Sequence, residues 1–117
     1  MGEKMKILDL VLMGKWYDMI ESGEKQEEYR QDKPYWRRRL LKCYGWIDWC
    51  KDAVQCDRCS IFRRSPWKDY THVRFRRGYT RRTLLFRLNG FAYGNGNPEW
   101  GAPAERDVFI IKFGERV

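Results

Sequence analysis

The feature that most constrains the fold is a change of hydrophobic periodicity at Gly23, inside the segment Ser22–Arg30. Before this glycine, Trp16, Met19 and Ile20 recur at the spacing of one helix face. Gly23 is placed to end that helix, because the residue after the last turn often takes a positive φ, which glycine adopts without strain. The sequence therefore predicts a helix that ends here and is followed directly by an extended segment.

The extended segment after Gly23 is dense in charge. Its alternation predicts two sets of side chains on opposite sides of a strand: Lys25, Glu27 and Tyr29 on one, Gln26, Glu28 and Arg30 on the other. A helix end that delivers a lysine, followed by a strand with a carboxylate and a guanidinium, predicts a polar pocket.

Elsewhere the periodicity predicts an α+β order of elements. The predicted strands are Lys6–Met13, Tyr70–Arg77, Thr83–Tyr93 and Val108–Phe113, and the predicted helices are Gly14–Ser22 and a segment that begins near Pro34. The first strand is almost continuously apolar, which predicts burial on both faces except at Asp9. Asp32 is expected to cap the second helix. The Gly- and Asn-rich segment Gly94–Pro103 predicts a long hairpin connection, with a flap over the pocket as the alternative.

The length of 117 residues predicts one domain over 1–117. Within it, the Cys- and Trp-rich stretch of about 43–68 is interpreted as an insertion into a minimal fold. No apolar run approaches the roughly 20 residues of a membrane helix, and the N-terminus shows no signal-peptide cleavage site. We therefore expect a cytoplasmic protein without a membrane partner; the oligomeric state is left open.

The net charge of +8 is concentrated in the middle of the chain. Residues 33–88 hold sixteen Lys and Arg against four Asp and Glu, whereas residues 1–32 hold five against eight. A basic region of this kind predicts a polyanionic partner, and arginine suits phosphate because its planar guanidinium binds in a fork. The alternative is a solvated surface that only keeps a small protein in solution.

The four cysteines, at positions 43, 50, 56 and 59, are expected to be reduced thiols in the cytoplasm. Cys56 and Cys59 have the spacing of a zinc knuckle, but a second pair of that spacing is missing. Cys50 and the single histidine, His72, are candidates to complete a structural zinc site. The interpretation favoured here is that the thiols hold no metal and that the chain needs no cofactor.

Gly23, Lys25, Glu28 and Arg30 form the pattern Gly-x-Lys-x-x-Glu-x-Arg. This pattern, after a strand and an amphipathic helix, resembles the signature of the ASCH domain, a family related to the PUA fold. The resemblance implies a small PUA-like β-barrel with two or more helices at its rim and a cleft lined by the motif segment. Because PUA domains bind RNA, it also implies an RNA or nucleotide ligand.

The binding hypothesis names two groups of residues. In the motif cleft and on the predicted strand Tyr70–Arg77, the ligand-binding candidates are Tyr29, Arg30, His72 and Arg74. On the basic region, the nucleic-acid-binding candidates are Tyr35, Trp36, Arg37, Arg76, Arg77, Arg81 and Arg82. The alternative is that most of these rings lie in the core and the arginines form wet surfaces.

Hydrolysis is the competing hypothesis. Some ASCH-like proteins are amidohydrolases on acetylated cytidine, and the resemblance assigns catalysis to Lys25 and Glu28, although those enzymes have Thr where this chain has Glu28. An ion pair with Glu28 would hold Lys25 protonated, which suits an oxyanion but excludes a general base. RNA cleavage, with Lys25 as electrostatic stabiliser and Glu28 or His72 as the proton-transfer group, is a further alternative. The simplest alternative is an ion-pair network without chemistry.

Overall fold

The computed structural model describes residues 4–42 and 67–117, and there the chain forms five strands and two α-helices. In chain order they are β1 (Ile7–Leu12), α1 (Gly14–Glu21), β2 (Glu27–Arg30), α2 (Pro34–Leu40), β3 (His72–Arg77), β4 (Thr83–Asn95) and β5 (Asp107–Arg116). The contacts divide the chain into two compact units, one formed by Met1–Tyr29 with Asp69–Val117 and the other by Arg30–Lys68. The single domain over 1–117 stays a prediction.

The strands form one mixed sheet in the order β1-β3-β4-β5-β2. β1 runs parallel to β3, whereas β3 with β4 and β4 with β5 are antiparallel. A parallel pair needs a long crossover, and the segment from β1 to β3 supplies it. The α+β class is thus confirmed, and the sheet is compatible with a small barrel-like fold.

β1 buries one face only. Leu8, Leu10 and Leu12 are buried, whereas Asp9 and Val11 are exposed. The prediction that both faces would be covered is wrong: α1 packs on β1 and β3, and a single helix layer covers only one face of a sheet. β1 also lies at an edge of the sheet.

The core of the first unit is built on aromatic rings from three adjacent strands. The rings of Phe75, Phe86 and Phe113 contact one another with centroids 4.9–5.8 Å apart. Such tilted and edge-on pairs stabilise a core beyond the area that they bury. A second cluster joins Tyr29, Ala102, Val108 and Ile110, with Ala92 and Trp100 packed against it. This second cluster fixes the surroundings of the motif.

The loop between β4 and β5 confirms the predicted hairpin connection. It contains one 3₁₀ turn, Pro98–Trp100, which Asn97 caps by accepting a hydrogen bond from the Glu99 N–H at 3.0 Å. Gly101 ends the turn at φ 102°, a left-handed conformation that favours glycine.

In the second unit, α2 begins with Pro34 in its first turn, as predicted. Asp32 does not cap it: the residue at the cap position is Lys33, which makes no side-chain cap. The Asp32 carboxylate instead binds the Arg37 guanidinium through two contacts of 2.5 and 2.8 Å. A charged bidentate pair is stronger than a single neutral-donor cap, which explains the difference.

Most of the predicted insertion, residues 43–66 with all four cysteines, lies outside the described residues. Leu41, shortly before these residues, and Trp67, directly after them, form an isolated antiparallel bridge. No helix within 4–42 and 67–117 is long and apolar enough to cross a membrane.

Candidate functional site

The turn after α1 directs Lys25 inward. Gly23 has φ 88°, and the Lys25 N–H then donates to the Met19 carbonyl at 3.0 Å. This Gly-led turn is the one that the sequence predicted. The strand begins two residues later than expected, at Glu27. The alternation that put Lys25 and Glu28 on opposite sides is therefore wrong, because Lys25 lies before the strand.

Lys25 and Glu28 form a buried ion pair. The Lys25 Nζ lies 3.0 Å from the Glu28 Oε1, and the two residues are 1% and 4% exposed. The same ammonium donates a hydrogen bond to the Trp100 carbonyl. Taking an ion out of water costs several kcal/mol, on the order of the whole stability margin, unless partners replace the water. Here a carboxylate and a carbonyl replace it.

Two aromatic rings complete the surroundings of the Lys25 ammonium. Its Nζ lies 5.1 Å from the Trp16 ring centroid and 4.9 Å from that of Tyr29. A cation over an aromatic face is attracted by the ring quadrupole, and this attraction grows when the site is desolvated. Lys25 thereby joins α1, β2 and the β4–β5 loop.

Tyr29 fastens the same loop. Its hydroxyl donates to the Glu27 Oε1 at 2.9 Å and accepts from the Asn97 N–H at 3.0 Å. Burial, with smaller contributions from the nearby carboxylates, raises the pKa of Tyr29 to about 12. A phenol with this pKa stays protonated at neutral pH, so it is a poor proton acceptor. Gly96 packs so closely that an added Cβ would lie 2.5 Å from the ring.

Of the motif residues, the structure thus brings Lys25 and Glu28 together. Arg30, which belongs to the second unit, has its guanidinium 5.0 Å from the Trp36 ring centroid. Protein groups enclose the pair that the resemblance assigns to catalysis. Its geometry suits an ion pair that links α1, β2 and the β4–β5 loop.

His72 is buried on β3. Its Nδ1 lies 2.7 Å from the Thr71 hydroxyl, and that hydroxyl accepts the Lys6 N–H at 2.9 Å. The Thr71 hydroxyl thus bridges the imidazole and the Lys6 backbone. The cysteines of the zinc hypothesis lie outside the described residues, and 4–42 with 67–117 contain no group of three or more His, Cys, Asp and Glu side chains suited to a metal ion.

The hairpin of β3 and β4 is strongly basic. Residues 70–88 hold six arginines and no aspartate or glutamate: Arg74, Arg76, Arg77, Arg81, Arg82 and Arg87. The tight turn between the strands, with Gly78 at φ 53°, was predicted. Arg87 was not among the predicted binding residues, although the alternation of the strand puts it on the same face as Leu85. In the structure Arg87 is exposed and lies directly across from His72.

Three of the six hairpin arginines pair with carboxylates from elsewhere in the first unit. Arg74 binds Asp9 at 2.5 Å, Arg77 binds Asp18 at 3.1 Å and Arg82 binds Glu21 at 3.2 Å. The hydrogen bond from Arg77 lowers the pKa of Asp18. Arg76 donates to the Thr80 carbonyl at 2.9 Å, a contact that leaves its charge uncompensated.

The second unit carries the remaining candidates on α2. Tyr35 and Trp36 meet edge to face with centroids 4.9 Å apart, and the Arg39 guanidinium lies 5.3 Å from the Trp36 ring. Arg37 is held by Asp32. Tyr35 is exposed and so is not one of the rings that the alternative interpretation places in the core.

No protein-family model, curated protein or solved structure matches the chain.

Proposed function

We propose that the chain is an ASCH-like, PUA-related domain that binds RNA in the cytoplasm, with the β3–β4 hairpin as its phosphate-binding surface. One observation carries the proposal: residues 70–88 bear six positive charges and no negative one. The three carboxylates that pair with this hairpin leave it with a net charge of +3.

Arginine and phosphate match chemically. A guanidinium donates two parallel hydrogen bonds to phosphate oxygens, and binding releases counterions from the nucleic acid. Three arginines of the hairpin can bind a phosphate without displacing a carboxylate of the described residues: Arg76, Arg81 and Arg87. The ion pairs of the other three are exposed surface pairs that contribute little to stability, so a phosphate can compete for them.

The burial of the Lys25–Glu28 ion pair favours binding over hydrolysis. Glycoside, amide or phosphate hydrolysis by Lys25 and Glu28 requires substrate and water to reach both groups. The pair is buried and its ammonium already contacts a carboxylate, a carbonyl and two rings. Hydrolysis of modified nucleosides or of RNA therefore remains the second hypothesis, for which the loop over Lys25 would have to move.

The test is a fluorescence-anisotropy titration with a labelled 12-nucleotide single-stranded RNA at fixed salt. The double charge reversal Arg76→Glu with Arg87→Glu is expected to weaken binding by at least tenfold, because two phosphate contacts become repulsive. Arg106→Glu with Lys112→Glu is the matched control, since it makes the same change in net charge at exposed positions outside the hairpin. Equal losses in both double variants would refute a hairpin-specific surface.

Product analysis of the same incubations distinguishes hydrolysis from binding without turnover. Turnover of acetylcytidine or of the RNA, lost in Lys25→Met, would support an enzyme. Binding without turnover is the result that the proposal predicts.

A further inference from the structure

The second unit presents aromatic rings within a cluster of guanidinium groups. The Trp36 ring centroid lies 5.0 Å from the Arg30 guanidinium and 5.3 Å from that of Arg39. Arg39 also lies 5.9 Å from the centroid of Tyr35, which meets Trp36 edge to face. Two rings and two guanidinium groups therefore form one contiguous cluster, named here the α2 cluster.

The α2 cluster lies in a strongly basic segment. Residues 30–42 hold six basic side chains and one acidic side chain, Asp32. Asp32 is bound to Arg37 through both of its carboxylate oxygens. The segment therefore keeps a net charge of +5, and the charge complements a polyphosphate.

Tyr35 gives this cluster an open aromatic surface, because the residue is 59% exposed. A large exposed ring in a basic environment contrasts with the buried Tyr17 and Tyr29, which serve the core. Every nucleobase has a π face that can stack on such a ring, and neighbouring arginines add cation–π attraction.

We propose that the α2 cluster is a stacking site for unpaired nucleobases, so that the ligand is single-stranded rather than duplex RNA. This inference rests on the proposed function, which supplies RNA as the ligand. A base stacks on Tyr35, and Arg38, which is exposed and lies three residues further along α2, is a candidate to bind its phosphate. Duplex RNA offers phosphates but keeps its bases stacked on one another.

The test compares three labelled 12-unit ligands with the wild-type protein: a single-stranded RNA, an abasic ribose-phosphate strand of equal charge, and an RNA duplex. We expect the single strand to bind about tenfold more tightly than the abasic strand, within the range known for stacking of one base on an aromatic ring. The duplex is expected to follow the abasic strand. Equal affinity for all three would overturn the stacking site and leave the proposed function intact.

Variants then locate the effect. Tyr35→Ala is expected to reduce binding of the single-stranded RNA about tenfold and to leave the abasic strand unchanged, whereas Tyr35→Phe keeps a ring and binds as the wild type. Met13→Ala is the control, since Met13 is a 72% exposed apolar residue outside both the hairpin and α2. Equal losses in Tyr35→Ala and Met13→Ala would contradict the assignment to α2. Binding of none of the three ligands by the wild type would remove both proposals.

Discussion

Replacing Lys25 by methionine tests the buried ion pair directly. Methionine has a similar length and packs well against aromatic rings, so it leaves little cavity beside Trp16 and Tyr29. It removes the ammonium, however, and so leaves the Glu28 carboxylate without the partner now 3.0 Å away. The Trp100 carbonyl loses the same donor.

The expected loss follows from the burial of both partners. Breaking a buried pair by removing one ion destabilises a protein by about 3–5 kcal/mol, because the remaining charge stays buried without that counterion. For a domain of this size that corresponds to a fall in Tm of roughly 10–20 °C. The assay is urea and thermal unfolding, followed by far-ultraviolet circular dichroism.

Two further variants make the prediction specific. Lys25→Met with Glu28→Met removes both charges and is expected to recover at least about 1–2 kcal/mol of the loss, because no unpaired ion remains. Lys15→Met removes an exposed ammonium that lies 4.7 Å from the same Trp16 ring, and it is expected to cost less than about 1 kcal/mol. A loss below about 1 kcal/mol in Lys25→Met would refute the reasoning.

Three other predictions follow from the loop and the hairpin. Gly96→Ala is expected to lower stability by about 1–3 kcal/mol in urea unfolding, because its Cβ would lie 2.5 Å from the Tyr29 ring, whereas Gly94→Ala, with nothing within 4 Å, has a smaller effect. The pKa of Tyr29 is raised to about 12 from 10, so between these values the folded state keeps a proton that the unfolded state loses. The free energy of unfolding is therefore expected to fall between about pH 10 and 12, by up to ~1.4 kcal/mol per pH unit. Comparing wild type with Tyr29→Phe across that window isolates the contribution of the Tyr29 hydroxyl. Asp18→Asn frees Arg77 from an exposed ion pair and is expected to tighten RNA binding in anisotropy titrations with little change in Tm; weaker binding would contradict the competition between carboxylate and phosphate.

The sequence predicts much of the local structure because the periodicity is clear. The helix Gly14–Glu21, the turn at Gly23 and the alternation of β3 lie where the pattern indicated. These features depend on residues that are neighbours in the sequence. The spacing of apolar side chains and the position of a glycine therefore predict them directly.

Features that depend on distant partners were predicted less well. A continuous apolar run does not reveal whether a second layer will cover its other face, so the exposure of Val11 was missed. The motif predicted that Lys25 and Glu28 belong to one site, but not that the Trp100 carbonyl, 75 residues away, would enclose the ammonium. Arg87 was overlooked because only strand register places it opposite His72.

The salt dependence of RNA binding measures whether arginines of the β3–β4 hairpin bind RNA phosphates. Each phosphate contact with a single strand contributes about 0.7 to the slope of the logarithm of the binding constant against the logarithm of salt concentration. The account predicts that Arg76→Glu with Arg87→Glu flattens this slope by about 1.4 relative to the wild type. An unchanged slope would show that these arginines do not contact the RNA backbone.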